Sequence, residues 1–182
     1  MNYLLENEST DRLNFRILKK EDFDSFIPLF EEEGVATFLG MDKDLSPIDL
    51  TKKLFDKTFN RYENDLGSMN VLINKVSGDI IGMCGILVQT IEKQKYIEIG
   101  YFILPKFWNK GYATEAAIKC RDYAFEQKFT SSLISMIHKE NRGSELVAIR
   151  NGMKLYRDDL SAPNEDYNLF KITKSEWRDK LL

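Results

Sequence analysis

Between Tyr96 and His138 the chain reads strand, helix, strand, and this order constrains the fold more than any other feature. In YIEIGYFIL (96–104), Ile97, Ile99, Tyr101 and Ile103 alternate with Tyr96, Glu98, Gly100, Phe102 and Leu104. Successive side chains of a strand point opposite ways, so these sets are its two faces. A helix follows from Gly111 to about Gln127, with Ala113, Ala116, Ala117, Cys120 and Ala124 on one stripe. Small side chains let a helix approach a sheet closely. SSLISMIH (131–138) is the next strand. A helix joining two strands of one sheet is a crossover, so 96–104 and 131–138 are expected to run parallel.

Antiparallel strands are expected around that pair. RLNFRIL (12–18) alternates Leu13, Phe15 and Ile17 with polar neighbours. SMNVLINKV (68–76) and DIIGMCGILVQTI (79–91) flank the turn Ser77-Gly78, and the polar EKQK (92–95) leads on to 96–104. MKLYRDD (153–159) and DYNLFKIT (166–173) read as a last pair. Among helices, 21–33 carries Phe23, Phe26, Ile27 and Phe30 at helical spacing, with a kink or break predicted at Pro28. Ser46, Pro47 and Asp49 start a helix that runs to about Tyr62. Asn141 to Asn151 is a short helix with Gly152 as its C-cap, and Thr173 and Glu176 form a capping box for the closing turn TKSEWRDKLL (173–182). The fold class is α+β: a mixed, mostly antiparallel sheet, one parallel pair in its middle, and helices on both faces. With 182 residues and no repeat or linker, one domain over 1–182 is expected.

The stretch PKFWNKGYATEAA (105–117) enters the middle helix with little side chain at its tip. The amides of FWNKG meet the positive end of the helix dipole there, which is the arrangement of an anion site. Gly111 permits close approach, Lys110 adds charge and Thr114 a hydroxyl. Alone, such a turn is also an ordinary strand–loop–helix joint. No second glycine completes a dinucleotide fingerprint and no Gly-Lys-Ser/Thr completes a nucleotide P-loop, which sets aside a nucleotide hydrolase or kinase. Glu98 is a carboxylate in a strongly apolar strand; it either pairs or reaches solvent, or it serves a reaction.

Taken together, EIGYFILPKFWNKGYATEAA (98–117) resembles the central motif of the GNAT acetyltransferases, and within them the RimJ/RimL type that acetylates ribosomal-protein N-termini. The loop Trp108-Asn109-Lys110-Gly111-Tyr112-Ala113 aligns with the family's Arg/Gln-x-x-Gly-x-Gly/Ala; Trp108 departs from it. TDRLNFRILKKEDFD (10–24), HKENRGSELVAIRNGMKLY (138–156) and LFKITKSEW (169–177) resemble the family's first strand, second motif and last strand. Residues 33–66 match least, in the region that shapes the family's acceptor site.

The resemblance implies a GNAT-type fold with a seven-stranded sheet whose central parallel pair is splayed, and acetyl-CoA as co-substrate. The amides of Trp108 to Ala113 and Thr114 would hold its pyrophosphate. The backbone of Phe102, Ile103 and Leu104 would hold pantetheine and supply oxyanion donors, and Asn141 would bond the pantetheine arm. Glu98 would be the general base, and Ser144 or Tyr156 the proton donor to the leaving thiolate. Ser144 and Asn141 read equally as supports of the short helix, Asn141 as its N-cap. The implied function is an N-acetyltransferase acting on a protein N-terminal amine or a small-molecule amine. The alternative is a regulatory module that binds acyl-CoA without turnover.

Other features narrow the partners. A net charge of −3 with no basic run argues against nucleic acid. Glu31, Glu32 and Glu33 read as a solvated face, or as a negative lip for a cationic acceptor. Cys84 and Cys120 lie in apolar elements and are expected to be buried reduced thiols. His138 is the single histidine, with no ligand cluster around it, so no metal is expected. The apolar run IIGMCGILV (80–88) is too short to span a bilayer, and MNYLLENESTDR has no signal-peptide pattern. A soluble cytoplasmic monomer or homodimer is the expectation.

Overall fold

The computed structural model describes residues 3–91, 93–156 and 165–179. Its strands are β1 (Leu13–Arg16), β2 (Gly67–Asn74), β3 (Ile80–Ile91), β4 (Gln94–Ile103), β5 (Ser132–His138), β6 (Lys154–Tyr156) and β7 (Tyr167–Thr173). They form one seven-stranded sheet in the order β1-β2-β3-β4-β5-β7-β6. Every neighbouring pair is antiparallel except β4 and β5, which are parallel as the crossover requires.

The helices are α1 (Phe23–Phe26), α2 (Val35–Phe38), α3 (Pro47–Glu63), α4 (Tyr112–Glu126), α5 (Arg142–Arg150) and α6 (Lys174–Asp179). The start of α3 follows the sequence signal: the Ser46 side chain accepts from the Asp49 amide, and Pro47 takes the first position. Such a cap stabilises a helix by about 1 kcal/mol. The expected helix over 21–33 is instead broken into α1 and a 3-10 turn at Ile27–Leu29. Pro28 has no N–H for the helical ladder, and its ring crowds the preceding turn. Glu31, Glu32 and Glu33 therefore lie beyond any helix, all exposed. Residues 157–159 of the expected MKLYRDD strand, Glu92 of the EKQK turn and 180–182 of the closing segment lie outside the described residues.

Two apolar layers sandwich the sheet. On one face Ala116, Ala117, Cys120, Ala124 and Phe125 of α4 pack on Ile97, Ile99 and Ile103 of β4, with Ala148 of α5 and Trp177 of α6 joining them. Of the small stripe, Ala116, Ala117, Cys120 and Ala124 are fully buried and Ala113 half-buried, which is how α4 lies so close to the sheet. Cys84 and Cys120 meet within it as free thiols, Sγ to Sγ 3.5 Å. On the other face, Phe26, Leu29, Leu50, Leu54 and Phe55 of the α1–α3 layer cover Val71, Met83, Phe102 and Leu104. A small cluster of Ile91, Tyr96, Ile134 and Leu169 continues that second face towards β7, with Met136 and Tyr156 against it. Among the described residues no helix is long and apolar enough to cross a membrane.

Candidate active site

The central seam is barely closed. Along β4 and β5 the pairing registers at Glu98 with Ile134 alone. Beyond it the strands diverge towards their C-terminal ends, where α4 and α5 begin. Glu98 stands at that fork, 7% exposed. Its Oε2 accepts from Gln89 Nε2 at 2.5 Å and its Oε1 from the Met136 amide at 3.2 Å. Burial pushes its pKa above the usual carboxylate range. The bonds from Gln89 and Met136 and the charges of Arg61 and Lys57 offset only part of that. Arg61 is itself anchored to the carbonyls of Gly67, Leu66 and Val88. The arrangement is a shielded carboxyl group that holds a proton to higher pH than a solvated carboxylate does.

At the far end of the seam is the bare helix tip. Asn109 and Gly111 both adopt left-handed backbone, φ 59° and 79°, and Gly111 is the N-cap of α4. No side chain caps the helix at that residue. Arg12, one residue ahead of β1, reaches this loop. Its Nη1 donates to the Lys110 carbonyl at 2.9 Å, its Nε pairs with Glu115 Oε2 at 2.6 Å, and the guanidinium lies 4.4 Å from the centre of the Tyr112 ring. Burial pushes the Glu115 carboxyl up. The Thr10 hydroxyl, the Arg12 amide and the Arg12 guanidinium outweigh it, and the net shift is downward. The loop is thus held from outside. The Trp108 amide, expected among the anion donors, is instead spent on the Pro105 carbonyl at 3.1 Å as the preceding 3-10 turn closes, and the first-turn N–H groups of α4 have no partner within the helix. Thr114 and Gly111 border a groove of about 590 Å³ that runs along the outer side of α4 to Arg150.

A family model described as an acetyltransferase (GNAT) domain matches residues 12–154. The chain belongs to the GNAT acetyltransferases. It is similar to the uncharacterized protein YkkB of Bacillus subtilis (strain 168), with 34% identity over 149 residues, 79% of this chain and 83% of that one. A crystal structure of an acetyltransferase from Agrobacterium tumefaciens str. C58 superposes with a TM-score of 0.75 at 25% identity, covering 94% of this chain and 96% of that chain. The spermidine N-acetyltransferase of Vibrio cholerae, solved with CoA and spermine, shares the fold at a TM-score of 0.68 and 15% identity, covering 93% of this chain and 99% of that chain.

The second GNAT motif sits on the α4 side of the seam. Asn141 is the N-cap of α5, its Oδ1 accepting from the Ser144 amide at 3.0 Å. The Ser144 carbonyl accepts from the Tyr101 hydroxyl at 2.7 Å, which ties α5 to β4. Tyr156 lies on the opposite face of the sheet, against Ile134 and Leu169, with Lys171 Nζ 4.3 Å from its ring centre. The two candidate acids are therefore on different sides of β5. His138 stacks between Phe38 and Tyr167, with ring centres 5.4 Å away on each side. Among the described residues no group of three or more His, Cys, Asp and Glu could hold a metal ion.

One expectation about the seam is corrected. Leu104 donates its amide to the Ile81 carbonyl at 2.9 Å, so it is spent on the β3 side. Backbone groups alternate in direction along an antiparallel pair, and Phe102, paired with Met83, points the same way. Of Phe102, Ile103 and Leu104, only Ile103 turns its backbone to the fork. Its carbonyl accepts from Trp108 Nε1 at 2.6 Å, so Trp108, 42% exposed, lies along that edge. Gln89, Arg12, Glu115 and Tyr101 were not marked by the sequence. Arg12 meets Glu115 across 103 residues and Tyr101 meets Ser144 across 43, while Gln89 is nine residues from Glu98 and is brought to it by the β3–β4 register.

Proposed function

We propose that this GNAT chain moves the acetyl group of acetyl-CoA onto a primary amine by direct attack. The observation that carries the reading is the buried carboxyl of Glu98 at the point where β4 and β5 part. The diphosphate would rest on the amides from Asn109 to Ala113, the Trp108 amide being spent on Pro105, with Lys110 adding charge and Thr114 a hydroxyl. The pantetheine arm would follow the Ile103 edge and the Asn141 amide into the fork.

An α-amino group has a pKa of about 7.7–8.0, and it must be neutral to attack. Glu98, through a water, takes that proton, the freed lone pair then bonds to the thioester carbonyl carbon, and the second proton shed by the nitrogen restores the acid that protonates the leaving thiolate. The developing oxyanion is met by the Ile103 amide, and such a donor contributes about 3–4 kcal/mol. The C–S bond then breaks, and the thiolate receives a proton from Ser144 or Tyr156. Ser144 stands on the same side of the sheet as the helix tip, which favours it. The RimJ/RimL-like motifs favour a protein N-terminal amine as acceptor.

The test is free-thiol release from acetyl-CoA across a panel of N-terminal peptides and small amines. Acetylation of a peptide N-terminus supports the full reading. Transfer to a small amine alone keeps the chemistry and overturns the acceptor. Coenzyme A binding with no transfer to any amine would leave the regulatory module in its place.

A further inference from the structure

We infer that Ser135 is a positioning residue that, together with Glu98, keeps the β4–β5 fork open by replacing one rung of the ladder with side chains. The inference rests on the fork being the slot for the acyl arm.

The register makes the missing rung identifiable. Leu104 bonds to Ile81, so the even-numbered residues of β4 direct their backbone groups to β3. The odd-numbered ones face β5, as the bonds accepted by the Ile99 and Ile103 carbonyls indicate. On β5, Lys139 donates to the Asp166 carbonyl in phase with odd-numbered residues facing β7. The backbone of Ile134, Met136 and His138 therefore faces β4. From the registered pair Glu98 and Ile134, the next rung of a parallel ladder joins the Ile99 carbonyl to the Met136 amide.

Both groups of that rung are held by side chains. The Met136 amide donates to Glu98 Oε1 at 3.2 Å, and the Ile99 carbonyl accepts from Ser135 Oγ at 2.8 Å. The exchange is reciprocal. A β4 side chain takes the β5 donor, and a β5 side chain supplies the β4 acceptor. The two substitutes lie on opposite faces, Ser135 on the α4 face beside Ile99 and Glu98 on the other. Ser135 is 2% exposed and Ile99 1%, so no water is at hand to replace the hydroxyl. An orphaned buried carbonyl is costly, and it is relieved most directly by recapturing the Met136 amide. That step closes the rung, narrows the fork and strips Glu98 of a donor.

The experiment compares wild type with Ser135→Ala and Ser135→Thr. Coenzyme A titrated by calorimetry should bind Ser135→Ala about tenfold more weakly, and Ser135→Thr near wild type. The acid limb of kcat should move to higher pH in Ser135→Ala only. The charged groups facing Glu98 are Arg61 and Lys57, both on α3, and neither is altered by the change. A filler role would change thermal stability without moving that limb. Wild type supplies a check that needs no variant. The Met136 amide resonance should titrate with the same midpoint as the Glu98 side-chain carboxyl carbon. Unchanged coenzyme A affinity in Ser135→Ala, or a Met136 amide blind to Glu98, overturns the inference. Both readouts work without turnover. Should Glu98 prove not to be the base, that would show in Glu98→Gln kinetics and leave this test intact.

Discussion

Gln89 of β3 reaches diagonally to Glu98 of β4, its side-chain amide donating to the carboxylate at 2.5 Å, while Leu87 stands directly opposite Glu98. Burial raises the Glu98 pKa and this bond lowers it. The base works deprotonated, so rate falls as pH falls through the raised value. The acid limb of kcat should therefore lie above the usual carboxylate range. Gln89→Leu removes a bond that favours the charged form, and the limb should shift further upward. Steady-state kinetics across pH at saturating acetyl-CoA measures both effects.

Glu98→Gln should reduce kcat by about 10²–10⁴-fold and leave coenzyme A binding within about twofold, since only proton transfer is lost. Stability should respond too. A carboxyl whose folded pKa is raised above its unfolded value contributes stability at low pH that is lost as pH rises through the folded value. Urea midpoints of wild type should fall over that window relative to those of Glu98→Gln.

Gly111→Glu sets a carboxylate on the tip of α4 and should weaken coenzyme A binding by about tenfold or more. Gly111→Ala is the control. The φ of 79° strains any side chain there, at about 1–2 kcal/mol, without adding charge. Equal affinities for the two variants would remove the diphosphate from this loop.

Cys84 and Cys120 are both fully buried, and burial pushes the Cys120 thiol up. Neither should react with a thiol reagent in the native protein within the time that unfolded chain reacts completely. Alkylation followed by mass spectrometry, with and without denaturant, decides it.

Glu176 accepts from the Thr173 amide and hydroxyl and pairs with Lys154 at 2.9 Å, which together hold its pKa at about 2. The stability it contributes is present above its unfolded value and is lost as pH falls towards 2. The pair is exposed and therefore weak. Most of the effect of Thr173→Ala should come from the lost cap, about 0.5–2 kcal/mol in thermal denaturation.

Local chemistry made much of this fold legible. The Ser46-Pro47-Asp49 start, the alternation along 96–104 and the small stripe of α4 each depend on neighbours a few residues apart. The crossover rule then supplied the parallel pair. What escaped was set by pairing across the sheet. Arg12 meets Glu115 over a separation of 103 residues. The spent amide of Leu104 and the bond from Ser135 to Ile99 depend on which way each backbone group points, and that needs the register. The short α2, after the left-handed Gly34, has too few residues to show a period. Phe38, the last residue of α2, meets His138 with ring centres 5.4 Å apart, a contact between residues far apart in the chain.

The two halves of the site lie on opposite faces of the sheet, α4 and its tip on one and the Glu98 carboxyl on the other. A nucleotide-bearing donor arriving on the first leaves the second clear for the nucleophile. Both reactants can then occupy the enzyme together, and initial-rate plots should intersect rather than run parallel. No acetylated side chain would accumulate between one turnover and the next.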